Sequence, residues 1–149
     1  MLTGHFEPAT GRPFIEAYVD IPLLKVAGFV LFLIDTGSDC TVIMPADARL
    51  LKIDYSKLKS TDTSIGSSGP SLDYLCHAIV IFAEKGVRAY SYNVELRIPE
   101  SKPETMILPS LLGRDIFNRW QASFDPSKRT IIANVLSCDR EFPWDNAGV

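Results

Sequence analysis

The sequence predicts a mainly β, barrel-like domain. Three observations carry that expectation: apolar and polar residues alternate with period two over several short stretches, turn-forming clusters separate those stretches, and only two segments have a helix-like composition. A chain of 149 residues is the size of one domain and long enough to enclose a core. Residues 1–149 are therefore read as a single domain, with its core from about 13 to 135 and a tail over 136–149.

Each element has its own reason. In "PFIEAYVDI", Ile15, Ala17, Val19 and Ile21 alternate with Phe14, Glu16, Tyr18 and Asp20, and Pro22 ends the strand or marks an edge. After Gly28 the run "FVLFLI", Phe29 to Ile34, is β-branched and aromatic and too short for a typical helix. It reads as a strand buried on both faces, delivering Asp35 at its end. Pro45 in "PADARLLK" suits the start of a short helix. "KLKSTDTSIGSSGPSLDY" is polar and predicts a mobile hairpin or loop with "GSSG" at its tip.

"LCHAIVIFAEKGVRAYSYNVELRIPE" holds two strands turning at Glu84, Lys85 and Gly86. In the second, Tyr90, Tyr92, Val94, Leu96 and Ile98 alternate with Ser91, Asn93, Glu95 and Arg97. "SLLGRDIFNRWQASFDPSKRTIIANV" combines an apolar stretch, a glycine, a short helix with Ile116 and Trp120 four apart, and a last hairpin turning at "DPSK". "SCDREFPWDNAGV" shows no period and is expected to be loosely held.

Composition removes several function classes. The net charge is −3 and the basic residues are scattered, so no surface is built to neutralise phosphates and no nucleic-acid partner is expected. No apolar run approaches the roughly 20 residues of a membrane helix, and "MLTGHFEPATGRP" lacks a basic segment followed by an apolar one. The expectation is no membrane partner and a cytoplasmic location. Cys40, Cys76 and Cys138 are too few and too far apart for a disulfide framework or a zinc site. Reduced thiols, with no metal and no cofactor, follow. His5 and His77 stand apart, and no His-Glu-x-x-His or Gly-x-Ser-x-Gly pattern occurs, which argues against zinc and serine hydrolases.

Asp35 is the residue that asks for a function, because an aspartate is rarely driven into a fold without a partner. Asp-Thr-Gly alone is as well explained by a turn. With its leading strand, the Ser38-Asp39 that follows and the later "SLLGRDIF", however, the chain resembles the retropepsin-like aspartic proteases. The resemblance runs from about Pro13 to Val135 in the order of elements and rests on "LFLIDTGSD", "IGSSGPS" and "LLGRDIFNRW". It implies a closed β-barrel-like acid protease fold with one short C-terminal helix, and the activity of an aspartic endopeptidase.

Because the chain carries one such motif, the resemblance implies a homodimer in which Asp35 faces its own copy. Two carboxylates held close cannot both ionise cheaply and so share one proton. The ionised member then serves as general base on a water, and the protonated member donates to the peptide carbonyl. Asp35, Thr36 and Gly37 are the expected catalytic loop: Thr36 braces the dimer axis, and Gly37, lacking a Cβ, allows close approach. Ser38 is expected to donate to the outer oxygen of Asp35. Asp39 is expected to pair with Arg114, whose planar fork suits a carboxylate.

Ile65, Gly66, Ser67, Ser68, Gly69 and Pro70 would form the tip of a flap that closes over substrate. Ser38, Asp39 and the flap residues Ile65 to Gly69 are the expected substrate contacts. The substrate would be an extended peptide or protein segment with hydrophobic residues beside the cut. Two other readings stay open: a dimeric β module that binds peptides or supports assembly without catalysis, and a β-barrel hydrolase with another nucleophile.

Overall fold

The structure is a computed structural model that describes residues 1–66 and 69–144. Its strands are β1 (Leu2–Phe6), β2 (Pro13–Ile21), β3 (Val26–Ile34), β4 (Ser60–Gly66), β5 (Gly69–Glu84), β6 (Arg88–Pro99), β7 (Leu111–Leu112), β8 (Trp120–Asp125), β9 (Thr130–Val135) and β10 (Arg140–Pro143). Three short α-helices intervene: α1 (Pro45–Leu50), α2 (Pro103–Met106) and α3 (Arg114–Phe117). The strands join one sheet in the order β10-β6-β5-β2-β1-β9-β8, with β3 added on β2 and β7, and β4 on β5. Among the described residues no helix is long and apolar enough to cross a membrane.

The period-two reading of β2 is realised. Ile15, Ala17, Val19 and Ile21 are buried, and Pro22 turns the chain into a single 3-10 turn closed by Lys25 in the left-handed region. Strand β3 begins earlier than expected, at Val26, and is not buried on both faces. Val30, Phe32 and Ile34 enter the core, but Phe29 is 57% and Leu31 42% exposed. The reason lies in the neighbours: β3 has strands beside it on two edges, while its outer face stays open and Phe29 meets only the edge of Tyr18, at 5.2 Å between centroids.

The long strand β5 organises the molecule. Its first half pairs with β4 to make a hairpin, residues 79–81 pair with β2, and β6 runs beside it from Asp73 to Glu84. Curling then brings distant parts of the strand order together. Trp120 of β8 stacks edge-on to Phe82 of β5 at 4.7 Å, and its indole Nε1 donates to the Tyr92 hydroxyl of β6 at 2.7 Å. Burial takes the Tyr92 phenol out of water and raises its pKa to about 12. After β9 the chain crosses back, Asp139 N donating to Ser91 O at 3.0 Å, and β10 pairs with β6.

The ends therefore do more than was expected of them. Residues 2–6 form a strand between β2 and β9, and residues 140–143 of the supposedly loose tail are paired. Both are too short to show a period, so their place depends on a neighbour rather than on their own pattern. A second difference concerns the helix after Gly113. It is one turn, and Trp120 opens β8 instead of sitting four residues along a helix from Ile116. A buried indole with a hydrogen-bond partner outweighs the few tenths of a kcal/mol, roughly, that an i,i+4 pair offers.

Candidate active site

Strand β7 is two residues long and flanked on both sides. Leu33 and Ile34 of β3 lie parallel to Leu111 and Leu112 on one side, and Val42 is antiparallel to Leu111 on the other. The chain leaves β3 at Ile34 and returns across β7 at Val42, so residues 35–41 form a loop tied at both ends. The ties are main-chain bonds: Asp35 N to Leu112 O at 3.1 Å, Val42 N to Leu111 O at 2.9 Å, and Leu111 N to Val42 O at 2.9 Å. Such bonds fix position without help from side chains.

Asp35 is half-buried at the head of this loop. Its carboxylate Oδ1 accepts from Gly37 N at 2.9 Å, and its carbonyl accepts from Ser38 N at 3.2 Å. A Cβ on residue 37 would stand 3.2 Å from that Oδ1, so a side chain would crowd the carboxylate. Thr36 and Gly37 are exposed. The expected bond from Ser38 to Asp35 is absent: the Ser38 hydroxyl donates to Cys40 O at 2.7 Å. The tight turn from Asp35 to Ser38 aims the hydroxyl forward along the chain instead of back.

Helix α3 closes the loop from behind. The first N–H groups of a helix have no partner inside it, and here Arg114 N donates to Ser38 O at 2.8 Å and Asp115 N to Asp39 O at 3.2 Å. The Arg114 guanidinium forms an ion pair with Asp39 and donates through Nη1 to Thr36 O at 3.0 Å. Asp39 and Arg114, coupled in the sequence reading by the resemblance of their motifs, thus stand in contact.

Two further residues lock this corner. Thr41 is fully buried; its hydroxyl donates to Asp115 Oδ1 at 2.7 Å, its N–H donates to Asp115 Oδ2 at 2.9 Å, and the hydroxyl accepts from Gly113 N at 3.3 Å. Gly113 lies so close to Cys40 that an added Cβ would fall 2.3 Å from the Cys40 carbonyl carbon. Neither Asp115 nor Thr41 is among the site residues expected from the sequence. An acid in the first turn of a helix was the available signal for Asp115; a threonine leading the apolar Val42-Ile43-Met44 was the signal for Thr41.

The remaining predicted residues belong to the β4–β5 hairpin. Ile65 is 88% exposed, and Gly66 is paired with Gly69 and Ile65 with Pro70 across the strands. Ser67 and Ser68 lie outside the described residues. The structure therefore groups Asp35 to Asp39 with Arg114 and keeps the hairpin residues on a separate element. Two surface hollows, of about 310 and 700 Å3, lie elsewhere and Asp35 lines neither. Among the described residues no cluster of three or more His, Cys, Asp or Glu is placed to hold a metal, and Cys40, Cys76 and Cys138 are free thiols.

No protein-family model matches the sequence, and no curated protein matches it at a significant level. Among solved structures, the chain is similar to a retropepsin-like aspartic protease from Rickettsia conorii, with a TM-score of 0.62 and 21% identity over 90% of this chain and 89% of that one. The chain has the retropepsin-like fold. It is also similar to EIAV protease complexed with the inhibitor HBY-793, at a TM-score of 0.46 and 19% identity over 75% of this chain and 90% of that one. In this retropepsin-like fold the Asp-Thr-Gly triplet follows directly on β3, where that strand meets β7.

Proposed function

We propose that two copies of this chain form an aspartic endopeptidase in which the Asp35 carboxylates share one water and one proton. The observation that carries this reading is the presentation of Asp35 at the end of a buried strand, oriented by Gly37 N and anchored by Leu112 O, in a chain with the retropepsin-like fold. The ionised carboxylate takes a proton from the water as it attacks the peptide carbonyl, while the protonated one donates to the carbonyl oxygen. The proton passes to the leaving nitrogen as the gem-diol collapses. A rigid mount matters because the acids must stay within hydrogen-bond reach of both water and carbonyl throughout.

In this reading Thr36 and Gly37 face the partner copy, Asp39 and Arg114 buttress the loop, and the β4–β5 hairpin is the flap. The substrate is an extended peptide. Exposed Ile65 on the hairpin, and Ile107 and Leu108 just before β7, supply apolar surface for hydrophobic side chains beside the cut.

The test is Asp35→Asn with cleavage of a mixed peptide library and sedimentation run side by side. The wild-type chain is expected to sediment as a dimer and to cleave in a manner blocked by a statine inhibitor. The variant is expected to lose roughly 10^2- to 10^4-fold in rate, the range for removal of acid–base catalysis, and to remain a dimer. Peptide binding without hydrolysis in either form would make the chain a binding module. Hydrolysis resistant to statine would point to another nucleophile, and a monomer at every concentration would end the proposal.

A further inference from the structure

Asp62 on β4 and Asp73 on β5 stand directly opposite each other across the hairpin. Like charges in that position repel and weaken the pairing of strands. The Asp73 side chain is only 5% exposed, so water does little to relieve it. Relief comes from a third strand. Arg97 of β6 donates through Nη2 to Asp62 Oδ2 at 2.8 Å and through Nη1 to Asp73 Oδ2 at 3.3 Å. One planar guanidinium therefore bridges both arms of the hairpin, a contact that a lysine's single ammonium reproduces poorly.

The contact continues toward the apex. Ser71 Oγ lies 3.4 Å from Asp73 Oδ1 as a donor, and the Ser71 and Ser64 hydroxyls share a hydrogen bond of 3.0 Å between the two strands. In the other direction Arg97 belongs to the Asp35 loop. Its N–H donates to Thr41 O at 3.2 Å, its carbonyl accepts from Ile43 N at 2.9 Å, and its side chain also meets Cys40. Thr41 in turn holds Asp115 and Gly113.

We infer that Arg97 is a positioning residue, a latch that sets the β4–β5 hairpin relative to the Asp35 loop by neutralising the opposed pair Asp62 and Asp73. Its backbone is part of the fixed platform and its guanidinium is the grip on the moving part. The role rests on the reading of the hairpin as a flap over a peptide groove. Without the guanidinium, the two opposed acids push the arms of the hairpin apart, and the paired segments 60–66 and 69–75 lose their hold on β6.

The experiment is amide hydrogen exchange on the full chain, with peptide cleavage measured in parallel, for wild type, Arg97→Met, Arg97→Lys and the double variant Arg97→Met/Asp62→Asn. Arg97→Met is expected to speed exchange in 60–66 and 69–75 by roughly fivefold, as loss of part-exposed charge-assisted bonds implies, with the amides of 41–43 and 111–113 unchanged. The double variant is expected to recover most of the protection, because one of the opposed charges is gone; Arg97→Lys falls between. In cleavage, KM is expected to rise more than kcat falls.

Unchanged hairpin exchange in Arg97→Met, or no recovery in the double variant, overturns the latch. If Arg97→Met does not fold, Arg97→Lys decides: exchange equal to wild type overturns the latch and faster exchange confined to the hairpin supports it. The exchange pattern does not depend on turnover. An inactive protein that follows it overturns the peptidase and keeps the latch as a hairpin device, whereas an active one with unchanged exchange loses the latch alone.

Discussion

The Asp35 loop, residues 35–41, is shorter than the β4–β5 hairpin and is held by a different mixture of bonds, although each also carries an ion pair. The loop is tied by main-chain bonds to β7 and α3 and by a buried threonine. The hairpin exposes Ile65 near its turn, and Arg97 bridges its two arms through Asp62, 49% exposed in its side chain, and Asp73, 5% exposed. Buried main-chain bonds hold a group in one place, and surface ion pairs hold it weakly and reversibly. The proposed peptidase needs both: acids that do not move and a cover that does.

The comparison breaks most readily at Gly113. Replacement by alanine places a Cβ against the Cys40 main chain, which has no flexible end to yield. A loss of about 1–3 kcal/mol in urea unfolding, the usual cost of overpacking, is expected together with loss of cleavage. Stability and activity equal to wild type would show the loop to be softer than its bonds imply.

Thr41→Val is the next test of the platform. It keeps the shape but takes the hydroxyl from Asp115 Oδ1, which then accepts from Ile116 N alone, and leaves Gly113 N without its acceptor. About 1–3 kcal/mol of stability is expected to go, as for other buried polar groups left unpaired. Activity should fall with it, because α3 no longer backs the loop.

The hairpin should respond to pH. The hydrogen bond from Arg97 holds the Asp62 carboxyl below its ordinary value of 3.8. A depressed pKa means that the contribution is present above the unfolded value and fades as pH falls through the folded one. Hairpin protection in wild type is therefore expected to exceed that of Asp62→Asn at pH 5 and to converge on it only as pH falls through the lowered folded pKa, which lies below 3.8, read by amide exchange. A difference that persists under more acid conditions would contradict the assignment.

The smallest effect is expected at the apex. Ile65→Thr alters a side chain already in solvent, so melting should move by no more than about 0.5 kcal/mol in equivalent stability. Cleavage of hydrophobic peptides should drop several-fold all the same if the hairpin covers substrate. A drop in stability without a drop in cleavage would reverse the roles given to the two regions.

Much of this arrangement was legible beforehand, and the residues show why. Ile15, Ala17, Val19 and Ile21 declare their buried face by alternation, and Asp39 and Arg114 were coupled by the resemblance of their motifs, with charge and guanidinium shape in support. Ser38 was not legible, because the direction of a hydroxyl depends on the turn that carries it and the nearer acceptor was Cys40 O. Nor was the exposure of Phe29 and Leu31, since an apolar run states that burial is favourable, not that a partner surface exists. Arg97 read as one polar member of an alternating strand; that it faces two acids follows only from the register of three strands.

Period, turn residues and charge are local quantities, and they suffice for a β domain with a lone aspartate at a strand end. Which strands become neighbours is not local. The return of the chain across β7, the closure by β10 and the meeting of Arg97 with Asp62 and Asp73 arise from long-range pairing, where each contact's worth depends on the others being made. Short segments such as 2–6 and 140–143 hold too little pattern to choose a place for themselves, so the folded sheet chose it for them.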